Sequence, residues 1–171
     1  DKATTRLCVS DRQAWVVETE PLWGNPSSPH RLGARAERGI SDGGEQMAGF
    51  LGCRPLDIVW TSGATESNNM GLHNCAQAVE GDKEVWISAI EHPCVMEATR
   101  THFARRYKTL RVTPTGVLDL DTLREALTKE QPGLIAVMAA NNEKGVMQPW
   151  EEVQQLSIDH QVQIGRASWR E

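Results

Sequence analysis

Asp57-Ile58-Val59-Trp60-Thr61-Ser62-Gly63-Ala64-Thr65-Glu66-Ser67-Asn68-Asn69 reads as a short apolar strand, then a tight turn of small residues, then the opening of a helix. The first N–H groups of a helix have no intrahelical partner, and the helix dipole adds positive potential there, so anions settle at such turns. Ser62, Gly63 and Ala64 are small enough to let a phosphate approach the backbone, and Thr65 adds a hydroxyl donor. An ordinary capped strand–helix connection shares this local pattern. What lies downstream separates the two readings.

From Asp57 onward the chain alternates. Asp57 to Thr61 is a strand candidate, and Glu66 to Val79 is helical, with Met70, Leu72, Cys75, Ala76 and Val79 on an approximate apolar face. Glu84 to Ser88 is a second strand. Pro93 to Arg106 is a second helix, with Pro93 in its first turn and Arg105 and Arg106 in its last. Thr109 to Thr113 is a third strand, closed by a Pro114-Thr115-Gly116 turn. A helix runs from Asp121, a good N-cap, to Glu130. Gly133 to Ala140 is an apolar run of strand length that belongs at the centre of a sheet, and Trp150 to His160 is a final helix. This order predicts an α/β fold with a largely parallel, mixed sheet and flanking helices. Ligands in such folds bind beyond the carboxyl ends of the strands. Chemistry is therefore expected in the loops at Ser62–Glu66, Ile90–Cys94 and Asn141–Gln148.

The first 55 residues are less regular. Trp23 to His30 is a polar loop rich in Gly and Pro, and a helix follows from Pro29 to Leu51. Gly39, Gly43 and Gly44 each weaken that helix by roughly 1 kcal/mol relative to Ala, which predicts a break near Ser41-Asp42-Gly43-Gly44.

Composition narrows the function. At 171 residues the chain can bury a sizeable core in one domain. No run approaches the ~18–20 apolar residues that cross a bilayer, and the opening residues lack the apolar centre of a signal peptide, so no membrane association is expected. A net charge of −5 with scattered basic residues argues against a nucleic-acid surface. The four cysteines, Cys8, Cys53, Cys75 and Cys94, form no Cys-x-x-Cys pair. They suit a reduced, cytoplasmic protein, and no spacing suggests a metal site.

His92 follows a strand and precedes a helix, where an imidazole can stack on a planar ring or move a proton. A capping or surface histidine fits the same position. Cys94 beside it reads best as a buried structural thiol. In Asn141-Asn142-Glu143-Lys144-Gly145, a side-chain amide at the end of a strand can bond a phenolic oxygen or a carboxylate, although Asn also suits a tight turn. Lys144 sits in a polar turn beside Glu143, with no desolvation to make it a nucleophile.

Six pieces occur in order: Asp1-x-Ala3-Thr4-Thr5, Gly24-Asn25-Pro26-Ser27-Ser28, His30-Arg31-x-Gly33, Thr61-Ser62-Gly63-Ala64-Thr65-Glu66-Ser67-x-Asn69, Glu91-His92, and Asn141-Asn142-Glu143-x-Gly145-Val146-x-Gln148. Together they resemble the cysteine desulfurases of the class V aminotransferase group, up to about residue 163. The resemblance implies the large domain of an aspartate-aminotransferase-like fold and pyridoxal 5'-phosphate as cofactor. It implies that Ala64 and Thr65 hold the cofactor phosphate, that His92 stacks on its ring and assists proton transfer, and that Asn142 bonds near its phenolic oxygen. It further implies L-cysteine as substrate, alanine and an enzyme-bound persulfide as products, a homodimer, and a sulfur-accepting or iron–sulfur scaffold protein as partner. A selenocysteine lyase or epimerase relative, or a non-catalytic domain keeping the fold, remains an alternative.

The departures from that pattern set a further expectation. Residues 1–163 read as a partial cofactor-binding domain, and Ile164 to Glu171 as an atypical tail. The family's pyridinium-pairing Asp, its covalent-anchor Lys and its sulfur-accepting Cys are not matched. The chain by itself is therefore expected to bind the cofactor weakly and to be inactive.

Overall fold

The computed structural model describes residues 6–79 and 81–165. The chain divides into two compact units, one ending at Trp60 and the other starting at Thr61.

In the first unit, α1 spans Val9–Thr19 and buries none of its residues. Helix α2 spans Arg31–Leu51. His30 caps it, its Nδ1 accepting the Gly33 N–H at 3.2 Å. A Cβ on Gly33 would lie 2.2 Å from the Ser28 carbonyl oxygen and 2.6 Å from that of Asn25, so the preceding loop closes on the helix only over a glycine. The predicted break at Ser41–Gly44 does not occur. Gly33, Ala36, Gly44 and Ala48 form the helix's buried stripe, so burial along that face offsets the glycine cost. Gly52, at φ 70°, ends the helix in the left-handed conformation that favours glycine.

The strand predicted over Asp57–Thr61 is absent. A 3₁₀ turn covers Pro55–Asp57 instead. The Asp57 carboxylate accepts the Arg54 N–H at 3.1 Å, and the Ile58 N–H donates to the Pro55 carbonyl at 3.2 Å. These bonds fold the backbone where the strand was to start. Val59 and Trp60 follow exposed, without a sheet to cover them.

The second unit holds α3 (Ala64–Ala78), β1 (Val85–Ser88), α4 (Pro93–Phe103), β2 (Tyr107–Leu110), α5 (Leu120–Lys129), β3 (Leu134–Ala136), β4 (Ala140–Asn141), β5 (Val146–Met147), α6 (Trp150–Asp159) and β6 (Gln163–Gly165). The four-stranded sheet has the order β2-β1-β3-β6 and is wholly parallel; β4 and β5 form a separate antiparallel hairpin. The strand expected at Thr109–Thr113 lies earlier, at Tyr107–Leu110. The apolar run Gly133–Ala140 supplies an inner strand only through Ala136, and its last residue joins the hairpin. The cap of α5 is Asp119, not Asp121: its carboxylate takes both the N–H and the hydroxyl of Thr122, at 3.0 and 2.8 Å. Ile164 and Gly165 continue the sheet beside Ile135 and Ala136. Residues 166–171 of the expected tail, and the Asp1–Thr5 motif, lie outside the described residues.

Strand alternation sorts the core into two layers. Trp86 and Ile135 point to one face, where Leu123 and Leu127 of α5 and Val153 of α6 cover them. Val85, Ile87, Leu134 and Ala136 point to the other, beneath Leu72 of α3 and Val95, Ala98 and Phe103 of α4. No described helix is long and apolar enough to cross a membrane. Ile135 has no exposed surface, whereas Ile158 on α6 is 61% exposed. Urea denaturation is expected to find Ile135→Ala destabilising by about 2–5 kcal/mol and Ile158→Ala within about 0.5 kcal/mol of wild type.

Candidate functional site

Because β1 and β3 pair in parallel, both end at the same edge of the sheet. The loop after β1 carries Ala89, Ile90, Glu91 and His92. The loop after β3 carries Met138, Asn141, Asn142, Glu143 and Lys144. Together these residues line a cavity of about 210 Å³. His92 and Asn142, singled out from the sequence on separate loops, thus share one cavity. Ala64 and Thr65 do not line it; they head α3 in the same unit.

His92 is half-buried and caps α4. Its Nδ1 accepts the Cys94 N–H at 3.2 Å and lies 3.0 Å from the Cys94 thiol. The capping role foreseen as an alternative is therefore present. It also has a chemical consequence: with Nδ1 accepting, a neutral His92 carries its hydrogen on Nε2. The Asn68 amide donates to Cys94 Sγ at 3.2 Å, which joins the second turn of α3 to the first turn of α4.

At the head of α3, the Glu66 carboxylate turns back and accepts the Ser62 N–H and hydroxyl, each at 2.7 Å. Those two donors hold the Glu66 carboxyl below its ordinary value. Thr61 Oγ1 and Ser67 Oγ are paired at 2.6 Å. Ser62 is thus engaged by the chain's own carboxylate. The N–H groups of Ala64 and Thr65 lie in the first turn, where no intrahelical carbonyl reaches them. A Cβ placed on Gly63 would meet nothing within 4 Å, so the space before the helix is open. This arrangement suits a phosphate held by Ala64 and Thr65.

Sequence reasoning gave Glu91, Asn141 and Gln148 no role of their own. Glu91 is only 5% exposed, and its Oε1 accepts the Met138 N–H at 2.6 Å, bridging the loops after β1 and β3. Burial pushes its carboxyl up to about 7, against backbone hydrogen bonds from Met138 and His92 that favour the charged form. Asn141 is buried. Its Nδ2 donates to the Ile90 carbonyl at 2.9 Å, and its Oδ1 accepts the N–H groups of Glu143 and Lys144 at 3.0 and 2.8 Å. Gln148 accepts the Leu118 N–H at 2.8 Å and donates to the Gly116 carbonyl at 2.9 Å. Asn141 and Gln148 hold the loop, while Asn142 is left exposed at the cavity. A carboxylate directly after Ala89-Ile90 and the largely apolar strand Val85–Ser88 was the available sign that Glu91 is buried.

The Glu91 carboxyl titrates near 4.5 in its ordinary state and near 7 in the folded chain. Below the lower value both states are protonated and the group adds no pH dependence to stability. Between the two the unfolded chain loses its proton while the folded chain keeps it, so stability falls as pH rises; above the upper value the difference is constant. Glu91→Gln keeps the acceptor for Met138 and removes the titration. Its stability relative to wild type is expected to grow from about pH 4.5 to about pH 7 and then level off. Urea denaturation across that range checks this, and a flat difference would contradict it.

A family model for class-V aminotransferases matches residues 1–164. The cysteine desulfurase IscS of Rickettsia felis is 36% identical over 166 residues, 94% of this chain and 40% of that protein. A solved NifS-like protein superposes with a TM-score of 0.85 at 30% identity, over 99% of this chain and 48% of that one. SspA, solved in complex with cysteine, superposes with a TM-score of 0.78 at 27% identity, over 96% and 48% of the two chains. The chain thus spans less than half the length of these relatives. With its parallel α/β sheet and its loops gathered at the strands' carboxyl ends, it belongs to the class-V aminotransferase family.

Proposed function

We propose that this chain forms the cofactor-binding part of a pyridoxal-phosphate-dependent cysteine desulfurase. The observation that carries the reading is the convergence of His92 and Asn142 on one cavity at the carboxyl ends of β1 and β3. The similarity to IscS of Rickettsia felis supports the choice of reaction, as does the likeness to SspA, a protein solved with cysteine.

The Ala64 and Thr65 N–H groups and the Thr65 hydroxyl hold the phosphate, where the α3 dipole favours a dianion. His92 offers its ring face for stacking on the pyridine. Its Nδ1 is engaged by Cys94, so Nε2 is the atom that handles a proton: it donates a hydrogen bond in the capping tautomer and takes a proton when Nδ1 instead carries the hydrogen toward Cys94 Sγ. Asn142 bonds the phenolic oxygen through its amide. Bound there, the cofactor supplies an electron-withdrawing ring that stabilises negative charge developing on the amino acid. The substrate is L-cysteine, whose sulfur passes to a cysteine thiol of the enzyme to give alanine and a persulfide, and then to an acceptor protein for iron–sulfur cluster assembly. A cytoplasmic homodimer is part of the same reading.

In the protein carrying this chain, His92→Ala is expected to lower alanine release from L-cysteine by about 100-fold or more, the usual loss when a positioned proton-transfer group is removed. Thr65→Ala is expected to weaken binding of pyridoxal phosphate by about tenfold, the loss of one charge-assisted hydrogen bond. Alanine release unchanged by His92→Ala would overturn the reading.

A further inference from the structure

His73 on α3 and His102 on α4 meet edge to face, with ring centroids 4.8 Å apart. Their Nδ1 atoms are 3.3 Å apart. His73 lies nine residues along α3 from Ala64, about 13 Å at the helical rise, so the pair is separate from the phosphate turn. Asn69, one turn before His73, engages the other nitrogen of His102: Nε2 to Oδ1 is 2.8 Å. An amide oxygen only accepts, so Nε2 of His102 carries a hydrogen, and a neutral His102 presents a lone pair at Nδ1. His73 then donates its Nδ1–H across the gap. Moving that hydrogen to its own Nε2 frees a second lone pair without changing the charge of either ring.

Two nitrogens bound about 2.0–2.1 Å from a tetrahedral cation stand about 3.3–3.4 Å apart. The observed separation of 3.3 Å is already that distance, so modest ring rotations suffice to aim both lone pairs at one ion. His73 is exposed and His102 half-buried, which leaves the rings room to turn. We propose that His73 and His102 form a two-imidazole site for tetrahedrally coordinated divalent cations of the Zn²⁺ kind, with Asn69 holding the His102 ring in the ligating tautomer. Imidazole nitrogen suits these ions and not the oxygen-preferring Mg²⁺ or Ca²⁺. Among the described residues no three His, Cys, Asp or Glu side chains cluster to hold a metal, so the protein gives two ligands and water completes the shell. Asn69 acts as outer-shell carboxylates and carbonyls do, by fixing ring orientation. A bound ion would tie α3 to α4, the helices that carry the phosphate turn and His92.

The test is a calorimetric titration of the reduced whole chain with Zn²⁺, paired with melting curves with and without the ion. One ion is expected to bind per chain and to raise the melting temperature. His73→Gln and His102→Gln are each expected to weaken binding at least about tenfold and to abolish the thermal shift, and Asn69→Ala to weaken it about tenfold. His160→Gln, at the far end of α6, is expected to bind as wild type does. His73 is exposed, so its variant does not put the fold at stake. Absence of one-to-one binding by the wild-type chain, or wild-type affinity in either histidine variant, would overturn the proposal.

Discussion

Parallel pairing of β1 with β3 is the constraint on which the rest of the site depends. The register sets Val85 beside Leu134 and Ile87 beside Ala136, so both strands end together and release their loops at one edge of the sheet. Two hydrogen bonds then fix those loops to each other: Met138 N–H to Glu91, and the Asn141 amide to the Ile90 carbonyl. Both involve buried side chains, where an unpaired polar group is costly, so each bond strongly specifies the loop conformation. Glu91 shows the balance of forces most clearly. Desolvation outweighs two backbone donors and raises its carboxyl to about 7, so the bridge is held by a group that changes charge near neutrality.

The helices bring the remaining chemistry to the same unit. Helices α3 and α4 cover one face of the sheet through Leu72, Val95, Ala98 and Phe103, and their N-terminal halves are joined by Asn68, Cys94 and His92. The apolar layer sets where each helix lies, and the polar link at its head orients a cap that is also a candidate for chemistry. Glu66 completes the picture at α3 by accepting both Ser62 donors and so fixing the turn that leads into the helix.

Much of the second unit was legible because local pattern and tertiary packing agree there. Trp86-Ile87 and Leu134-Ile135 are apolar on both faces, as inner parallel strands must be, and Pro93 and Gly116 mark a helix start and a turn where they are found. The strand expected at Asp57–Thr61 failed because the Arg54–Asp57 turn claims the backbone first, a competition that apolar patterning does not register. Helix α1 was missed because it buries no face and so leaves no periodic apolar stripe. In α2, Gly39, Gly43 and Gly44 read as breakers, yet Gly44 lies on the buried stripe. In the candidate site, residue type pointed to His92 and Asn142, which the structure places on one cavity. The distinct roles of neighbours, Asn141 holding the loop and Asn142 facing the cavity, depend on side-chain direction, which one sequence does not encode locally.

We propose that a phosphate-bearing pyridine binds at the head of α3 and beside His92 and Asn142. Backbone amide NMR of the chain titrated with pyridoxal phosphate tests it most directly. The expected result is saturable shifts in the N–H resonances of Ala64 and Thr65, with changes at His92 and Asn142 following the same curve. Saturable shifts confined to other residues, or none at these four at any ligand concentration, would contradict it.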